Sequence, residues 1–341
     1  CLVGSEMCIR DRNKLVTLKR ITIMKKILLT AVAALAIVGC SQNEEIENVG
    51  QKAKIDVTTA VKGTTRAAVT NNDNFTAFTV SGYTVEVSAI AGSGVGTAYM
   101  NKDYTGGRGS WTTTGDVYWP LDENMEFFAY PTTLKDGFQA PENGYPTLTY
   151  AIGAVGAQTD LVVAHKSVAS VPTGGKLELT FKHILTRINF SYEPVDPAYT
   201  YTVSNITING VEGGTATYTF GTNEGGWSAG SEEAVDYSYP ISSTPVKGSD
   251  NNVYALDTSD GSLMLLPQSV ASKTISVTYK TEKDGHIYFN NTKTVTLGTS
   301  AKWEIGKNIR YTLTLPVGAE KVTVDTNVED INETPESGSA K

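Results

Sequence analysis

The stretch Thr274–Phe289, TISVTYKTEKDGHIYF, shows the pattern that decides the fold of this chain. Apolar and polar side chains alternate before Asp284-Gly285, and a second short apolar run, His286–Phe289, follows. A period of two is typical of a half-buried strand, because successive side chains point to opposite faces. An Asp-Gly pair between two such runs favours a tight hairpin turn, in which both residues adopt positive φ angles. We therefore predict two antiparallel strands here.

The same alternation recurs along the chain, and no long segment has the period of an amphipathic helix. The composition agrees with strands and tight turns, with 17 Tyr and 32 Gly among 341 residues. At roughly 100–200 residues per domain, this length suggests two domains. We predict an all-β fold of two tandem β-sandwich domains. Further alternating runs are Phe75–Val80, Tyr83–Val87, Lys176–Phe181, Tyr201–Ile208 and Ile309–Leu315.

Turn-forming residues and charge runs divide the chain into segments. We place the boundary between the two domains at Pro172-Thr-Gly-Gly175, with Glu193–Pro197 as the alternative. The predicted domains are then residues 67–174 and 175–318. Residues 319–341 hold a last strand and an acidic tail, which we expect to be disordered from Glu329 onward.

Charge and composition exclude several classes of function. The chain carries 36 acidic and 28 basic residues, a net charge of −8, whereas a nucleic-acid binder needs a basic surface to neutralise phosphates. Its three histidines, His165, His183 and His286, do not have the spacing of metal ligands. His183 lies in an alternating run, which favours a hydrogen-bonded sheet residue. We predict no enzyme activity, no catalytic residues, no metal and no cofactor.

The first 66 residues predict export. Lys25-Lys26 precedes an apolar run, Ile27–Val38, of 12 residues, which is typical of a secretory signal and short of the about 20 residues that span a bilayer. Gly39-Cys40 ends this run and resembles a bacterial lipobox, in which the cysteine is diacylated. We predict a signal peptide at 24–39 and a lipidated propeptide with the first strand at 40–66. Residues 1–23 precede the better bacterial start at Met24 and are predicted to be a non-native or misassigned start.

Six spaced motifs, in this order behind the lipobox, resemble the fimbrillin family, the lipoprotein-precursor (type V) pilins and associated tip proteins of Gram-negative anaerobes. The resemblance implies transthyretin-like sandwich domains and a structural subunit, stalk or tip, of a fimbria at the outer membrane and cell surface. Its implied partners are other fimbrial subunits, with a host glycan or protein as a target of adhesion. Ile331 departs from relatives, which often carry Trp near this position. The motifs are Trp119-Pro120, Phe127–Pro131, Asp160–Ala164, Leu179–Phe190, Leu265–Gln268 and Trp303–Leu313.

The resemblance also implies a protease site. In fimbrillins a trypsin-like protease cuts after an arginine downstream of the first strand and releases lipid and strand together. Arg66-Ala67, within the polar stretch Thr64–Ala68, matches that position. The alternative is an ordinary exposed loop arginine.

Two segments of the chain share one apolar pattern. Lys54–Val61 reads KIDVTTAV and Lys321–Val328 reads KVTVDTNV. Alternate side chains share a face of a strand, so both segments present nearly the same apolar edge. We predict that the first segment is a plug strand in the precursor and that the second is the donor strand of another molecule in a polymer. The plug residues are Ile55, Val57 and Val61, and the donor residues are Val322, Val324 and Val328.

A different class of function stays open at this point. The alternative to a fimbrial subunit is a monomeric, lipid-anchored surface adhesin or glycan-binding β-sandwich protein. Charge substitutions at Val324 and Val328 distinguish the two, because they should abolish polymers and leave the monomer folded.

Overall fold

The computed structural model describes residues 53–62, 70–85, 96–121, 123–140, 144–221, 225–242, 244–249, 252–256 and 261–331. Within these ranges the regular structure is β apart from two short 3₁₀ turns, and no helix is long and apolar enough to cross a membrane. The predicted lipidation site Cys40 and cleavage site Arg66-Ala67 lie outside the described residues.

The first half of the described chain contains nine strands and both 3₁₀ turns. The turns span Thr132–Gly137 and Thr173–Gly175. The strands are β1 Asp56–Val61, β2 Ala77–Val85, β3 Thr97–Gly107, β4 Ser110–Thr112, β5 Asn124–Tyr130, β6 Phe138–Gln139, β7 Thr147–Ala151, β8 Val162–Val168 and β9 Lys176–His183.

The second half contains twelve further described strands. They are β10 Thr186–Pro194, β11 Thr200–Gly213, β12 Thr215–Thr219, β13 Gly226–Trp227, β14 Glu232–Ser238, β15 Val246–Lys247, β16 Tyr254–Ala255, β17 Leu263–Leu265, β18 Thr274–Lys283, β19 His286–Thr296, β20 Lys307–Leu315 and β21 Thr323–Asp330.

These strands form four sheets. Sheet I has the order β1-β9-β8-β5-β2-β3-β4, and sheet II has the order β13-β12-β7-β6. Sheet III has the order β16-β10-β20-β21, with β17 also on β10, and sheet IV has the order β14-β11-β18-β19, with β15 also on β11. The predicted all-β sandwich fold is confirmed.

The predicted hairpin is also confirmed. β18 and β19 pair antiparallel on either side of Asp284 and Gly285, whose φ angles are 49° and 78°. Glycine adopts such an angle without a steric penalty, and aspartate tolerates it better than most residues, so the Asp-Gly pair reverses the chain within two residues.

Strand pairing crosses the predicted domain boundary. β9 lies after residue 174 and belongs to sheet I, where it pairs with β8 and β1. β12 pairs with β7 in sheet II, so that Thr215–Thr219 adds to a strand of the first half of the chain. Sheets I and II thus combine residues from both sides of residue 174. The division into domains of residues 67–174 and 175–318 stays a prediction.

Alternation along β5 explains how sheet I carries apolar cores on both faces. Side chains on one face of β5 join the cluster that contains β1 and β9, and those on the other face join the cluster shared with sheet II. Sheets III and IV enclose a third apolar cluster. The β5 side chains of the first face are Met125, Phe127 and Ala129, and those of the second face are Phe128 and Tyr130.

The end of the chain corrects one expectation. Glu329 and Asp330 lie in β21 and Ile331 is buried, although we expected disorder from Glu329 onward. Asn308 Nδ2 donates a hydrogen bond to Glu329 Oε2 over 3.0 Å, and Lys307 Nζ lies 2.7 Å from Asp330 Oδ2. The strand continues because β20 supplies both backbone partners and opposite charge, which composition alone does not reveal.

Replacement of Phe127 by alanine tests the packing of sheet I. The ring is fully buried, so Phe127→Ala should lower the free energy of unfolding by about 3–5 kcal/mol, through lost transfer energy and the cavity left behind. Ile287→Ala removes an exposed apolar side chain and should change it by at most about 0.5 kcal/mol. Urea unfolding followed by circular dichroism measures both. Equal effects of the two variants would contradict this description of the core.

Candidate functional site: the groove that holds the first strand

β1 lies at the edge of sheet I and completes it. β1 pairs in parallel with β9, from Asp56 opposite Lys176 to Val61 opposite Phe181. The residues just before β1 meet the segment 116–119, where Ile55 N donates to Val117 O over 2.8 Å and Trp119 N donates to Ala53 O over 2.8 Å. We call the space between β9 and this segment the β1 groove.

The β1 groove is apolar where β1 faces inward. Ile55, Val57 and Val61 are 4%, 4% and 6% exposed. Burial of such a side chain contributes about 1.5–3 kcal/mol, so this strand contributes strongly to the stability of sheet I. The groove side chains in the same cluster include Phe75, Trp119, Leu177, Leu179 and Phe181.

Two polar side-chain contacts add to the backbone pairing of β1. Thr59 Oγ1 accepts a hydrogen bond of 2.9 Å from Trp111 Nε1, which belongs to β4 at the opposite end of the strand order. Lys54 Nζ lies 2.6 Å from Asp116 Oδ1, with both side chains about half exposed. Sheet I therefore curls until its first and last strands meet around the apolar cluster.

A buried histidine holds the C-terminal end of β1. His183 Nε2 is hydrogen-bonded to Lys62 O, and His183 Nδ1 lies 2.8 Å from Asp160 Oδ2. Asp160 Oδ2 also accepts 2.7 Å from Thr70 N. Lys62 and Thr70 stand on either side of residues 63–69 in the sequence. The Asp160–His183 pair therefore contacts the backbone just before and just after these residues. His183 is thus a hydrogen-bonded sheet residue, as expected.

The contacts of His183 favour its protonated form. Both ring nitrogens face acceptors, a carboxylate and a carbonyl, and only the imidazolium can donate from both. Burial lowers the pKa of His183 and Arg187 lowers it further, but Asp160 and the Lys62 carbonyl outweigh them, so the pKa is raised above 6.5. The Asp160–His183 pair is therefore part of what holds β1 in place, and its contacts are best satisfied when His183 is protonated.

The predicted donor segment has a different environment. β21 is the edge strand of sheet III and pairs antiparallel with β20. Val322 is buried, Val324 is half-buried and Val328 is 52% exposed. The apolar side chains that are buried in and beside β1 thus have counterparts in and beside β21 that are only partly buried. β21 is the edge strand of sheet III.

Sequence reasoning found the apolar residues of this site and missed two of its polar contacts. Neither the Trp111–Thr59 hydrogen bond nor the Asp160–His183 pair was predicted as a contact of β1. The signal was weak, because these residues are distant in sequence and only the curl of sheet I brings them together. Within the described ranges, no group of three or more His, Cys, Asp or Glu residues could hold a metal ion.

Comparison with known proteins agrees with this architecture. The fimbrillin-like family matches residues 45–330. The chain belongs to this family. The fimbrium subunit Fim1C of Phocaeicola vulgatus is 26% identical over 195 residues, which cover 50% of the chain and 52% of the relative, so the match spans about half of that curated protein. A crystal structure of a fimbrial protein from Bacteroides vulgatus has the same fold, with a TM-score of 0.61, 20% identity and coverage of 80% of this chain and 98% of that one.

The state of His183 predicts a pH dependence. A histidine whose pKa is higher in the folded than in the unfolded chain contributes stability that is fully present below about pH 6.5 and is lost as the pH rises through the folded value. The free energy of unfolding of the wild type should therefore fall more between about pH 6 and about pH 9 than that of His183→Gln. His286→Gln, which changes an exposed histidine, should keep the wild-type pH profile. Parallel profiles of wild type and His183→Gln would contradict the imidazolium contact.

Proposed function

We propose that this fimbrillin-like protein is a structural subunit, stalk or tip, of a cell-surface fimbria. It is exported through the periplasm as a lipoprotein that carries lipid on Cys40 at the outer membrane. Cleavage between Arg66 and Ala67 then releases the lipidated propeptide together with β1. The β1 groove of one subunit receives the Val322–Val328 segment of the next. The partners in this proposal are other fimbrial subunits, with a host glycan or protein as an adhesion target.

The proposal rests on the difference in burial between β1 and β21, two strands that share one spacing of apolar side chains. β1 is an edge strand joined to the rest of the sheet by parallel pairing with β9, and its inward side chains are buried. Its loss would expose an apolar groove flanked by unpaired backbone groups, a state that favours strand addition. β21 has the same spacing of side chains but leaves Val328 half exposed. Each subunit thus offers one groove and one strand, an arrangement that propagates into a filament.

Proteolysis of the purified chain tests this proposal. Limited treatment with an arginine-specific protease, which does not cleave after Lys62, should produce a new N-terminus at Ala67 and a ladder of SDS-resistant oligomers, and Arg66→Ala should yield neither. N-terminal sequencing and unheated gels report the two results. A stable monomer after cleavage at Arg66, with a melting temperature that rises on addition of sugars, would favour the glycan-binding alternative.

Charge substitutions in the donor segment provide a sharper test. Val324→Asp with Val328→Asp should abolish the ladder, because two charges would be buried in an apolar groove. Val328→Asp alone should weaken it strongly and leave the monomer folded, since Val328 is half exposed there. Thr323→Asp is the matched control, because Thr323 aligns with the exposed Asp56 of the plug strand. Normal polymers from the double variant would contradict donor-strand assembly.

A further inference from the structure

The two aligned strands allow the contacts of one to be transferred to the other. Alignment of Lys54–Val61 with Lys321–Val328 places Val322, Val324 and Val328 at the buried positions of β1. The same alignment places Thr326 at the position of Thr59. Of the inward-facing positions it is the one that carries a hydroxyl in both strands.

Trp111 is held so that its indole N–H points at that hydroxyl. Its ring packs edge-on against Phe75 and Phe78, with centroid distances of 5.6 and 4.7 Å. Trp111 Nε1 donates to Thr59 Oγ1 over 2.9 Å, and this bond leaves with β1. The Trp111 side chain is half-buried, and an indole N–H that a strand covers requires an acceptor, so the groove keeps a donor at one position along its length.

We propose that Trp111 is the residue of the β1 groove that selects the incoming strand and sets its register, by donating to Thr326 of a second copy of this chain. This inference rests on the proposed donor-strand assembly. The backbone contacts of the groove accept any extended strand, since they do not read side chains. Trp111 adds a requirement for a hydroxyl between two valines.

Because of the spacing of side chains in the donor segment, the requirement for a hydroxyl at Trp111 also fixes the register of the incoming strand. A slip of two residues keeps the apolar face inward but brings Val324 or Val328 to Trp111, which leaves the indole N–H without an acceptor. The same slip moves the Thr326 hydroxyl into a position that Val57 or Val61 occupies in β1, where the surroundings are apolar. A slip of one residue turns the apolar face outward. Of these alignments, the one without a slip is therefore the one that gives the indole N–H an acceptor and also keeps the valines inward.

Binding of synthetic peptides to a chain that cannot self-assemble tests this inference. The acceptor is the full chain with Val324→Asp and Val328→Asp, cleaved after Arg66, and the probes are peptides of sequence 321–331. The Thr326→Val peptide should bind about ten-fold more weakly than the wild-type peptide, because the indole N–H loses its acceptor. The Thr326→Ser peptide should bind like wild type. The Thr323→Val peptide makes the same chemical change at a solvent-facing position and should also bind like wild type.

A second acceptor assigns the effect to Trp111. With Trp111→Phe added, the wild-type and Thr326→Val peptides should bind equally. Discrimination that persists in this acceptor, or equal binding of both peptides to the acceptor that keeps Trp111, would overturn the inference. If Trp111→Phe fails to fold, the comparison of the serine and valine peptides still decides it. Failure of every peptide, including the wild-type one, would instead overturn donor-strand assembly and this inference with it.

Discussion

The parallel pairing of β1 with β9 is the interaction on which the rest of sheet I depends. It covers Leu177, Leu179 and Phe181 with three inward side chains and brings the two ends of the curled sheet together at Thr59 and Trp111. β9 is a sheet strand buried on its inner face, yet its partner is a short edge strand that precedes the predicted protease site. The stability of the first half of the molecule thus rests partly on a segment that the proposed assembly removes.

The polar contacts along the β1 groove differ in what they touch. His183 and Asp160 contact the backbone on both sides of residues 63–69, through Lys62 O and Thr70 N. Trp111 contacts a side chain of β1. In the proposed assembly, retention of β1 and selection of the strand that replaces it would therefore involve different residues, which mutation can separate.

The sequence was sufficient to predict several individual strands and one turn, but not which strands pair with each other. Alternation predicted β9, β11, β18 and β20, and Asp284-Gly285 predicted the turn, because these signals are local. The membership of β9 in sheet I and the pairing of β12 with β7 depend on contacts between distant segments, which no local pattern encodes. The apolar residues of β1 were predictable from their period of two, but the contacts of His183 and Trp111 arise only after sheet I curls.

The central claim is that Val322–Val328 of one molecule occupies the place of β1 in another, in the same direction and register. Disulfide trapping with Glu178→Cys and Asp325→Cys measures this directly, because Asp325 aligns with Thr58, which lies opposite Glu178. Polymers formed after cleavage should become linked between molecules on oxidation, and the pair Thr180→Cys with Asp325→Cys, displaced by two residues, should link far less. Polymers that form normally without linkage at 178, or with equal linkage at both positions, would contradict the account.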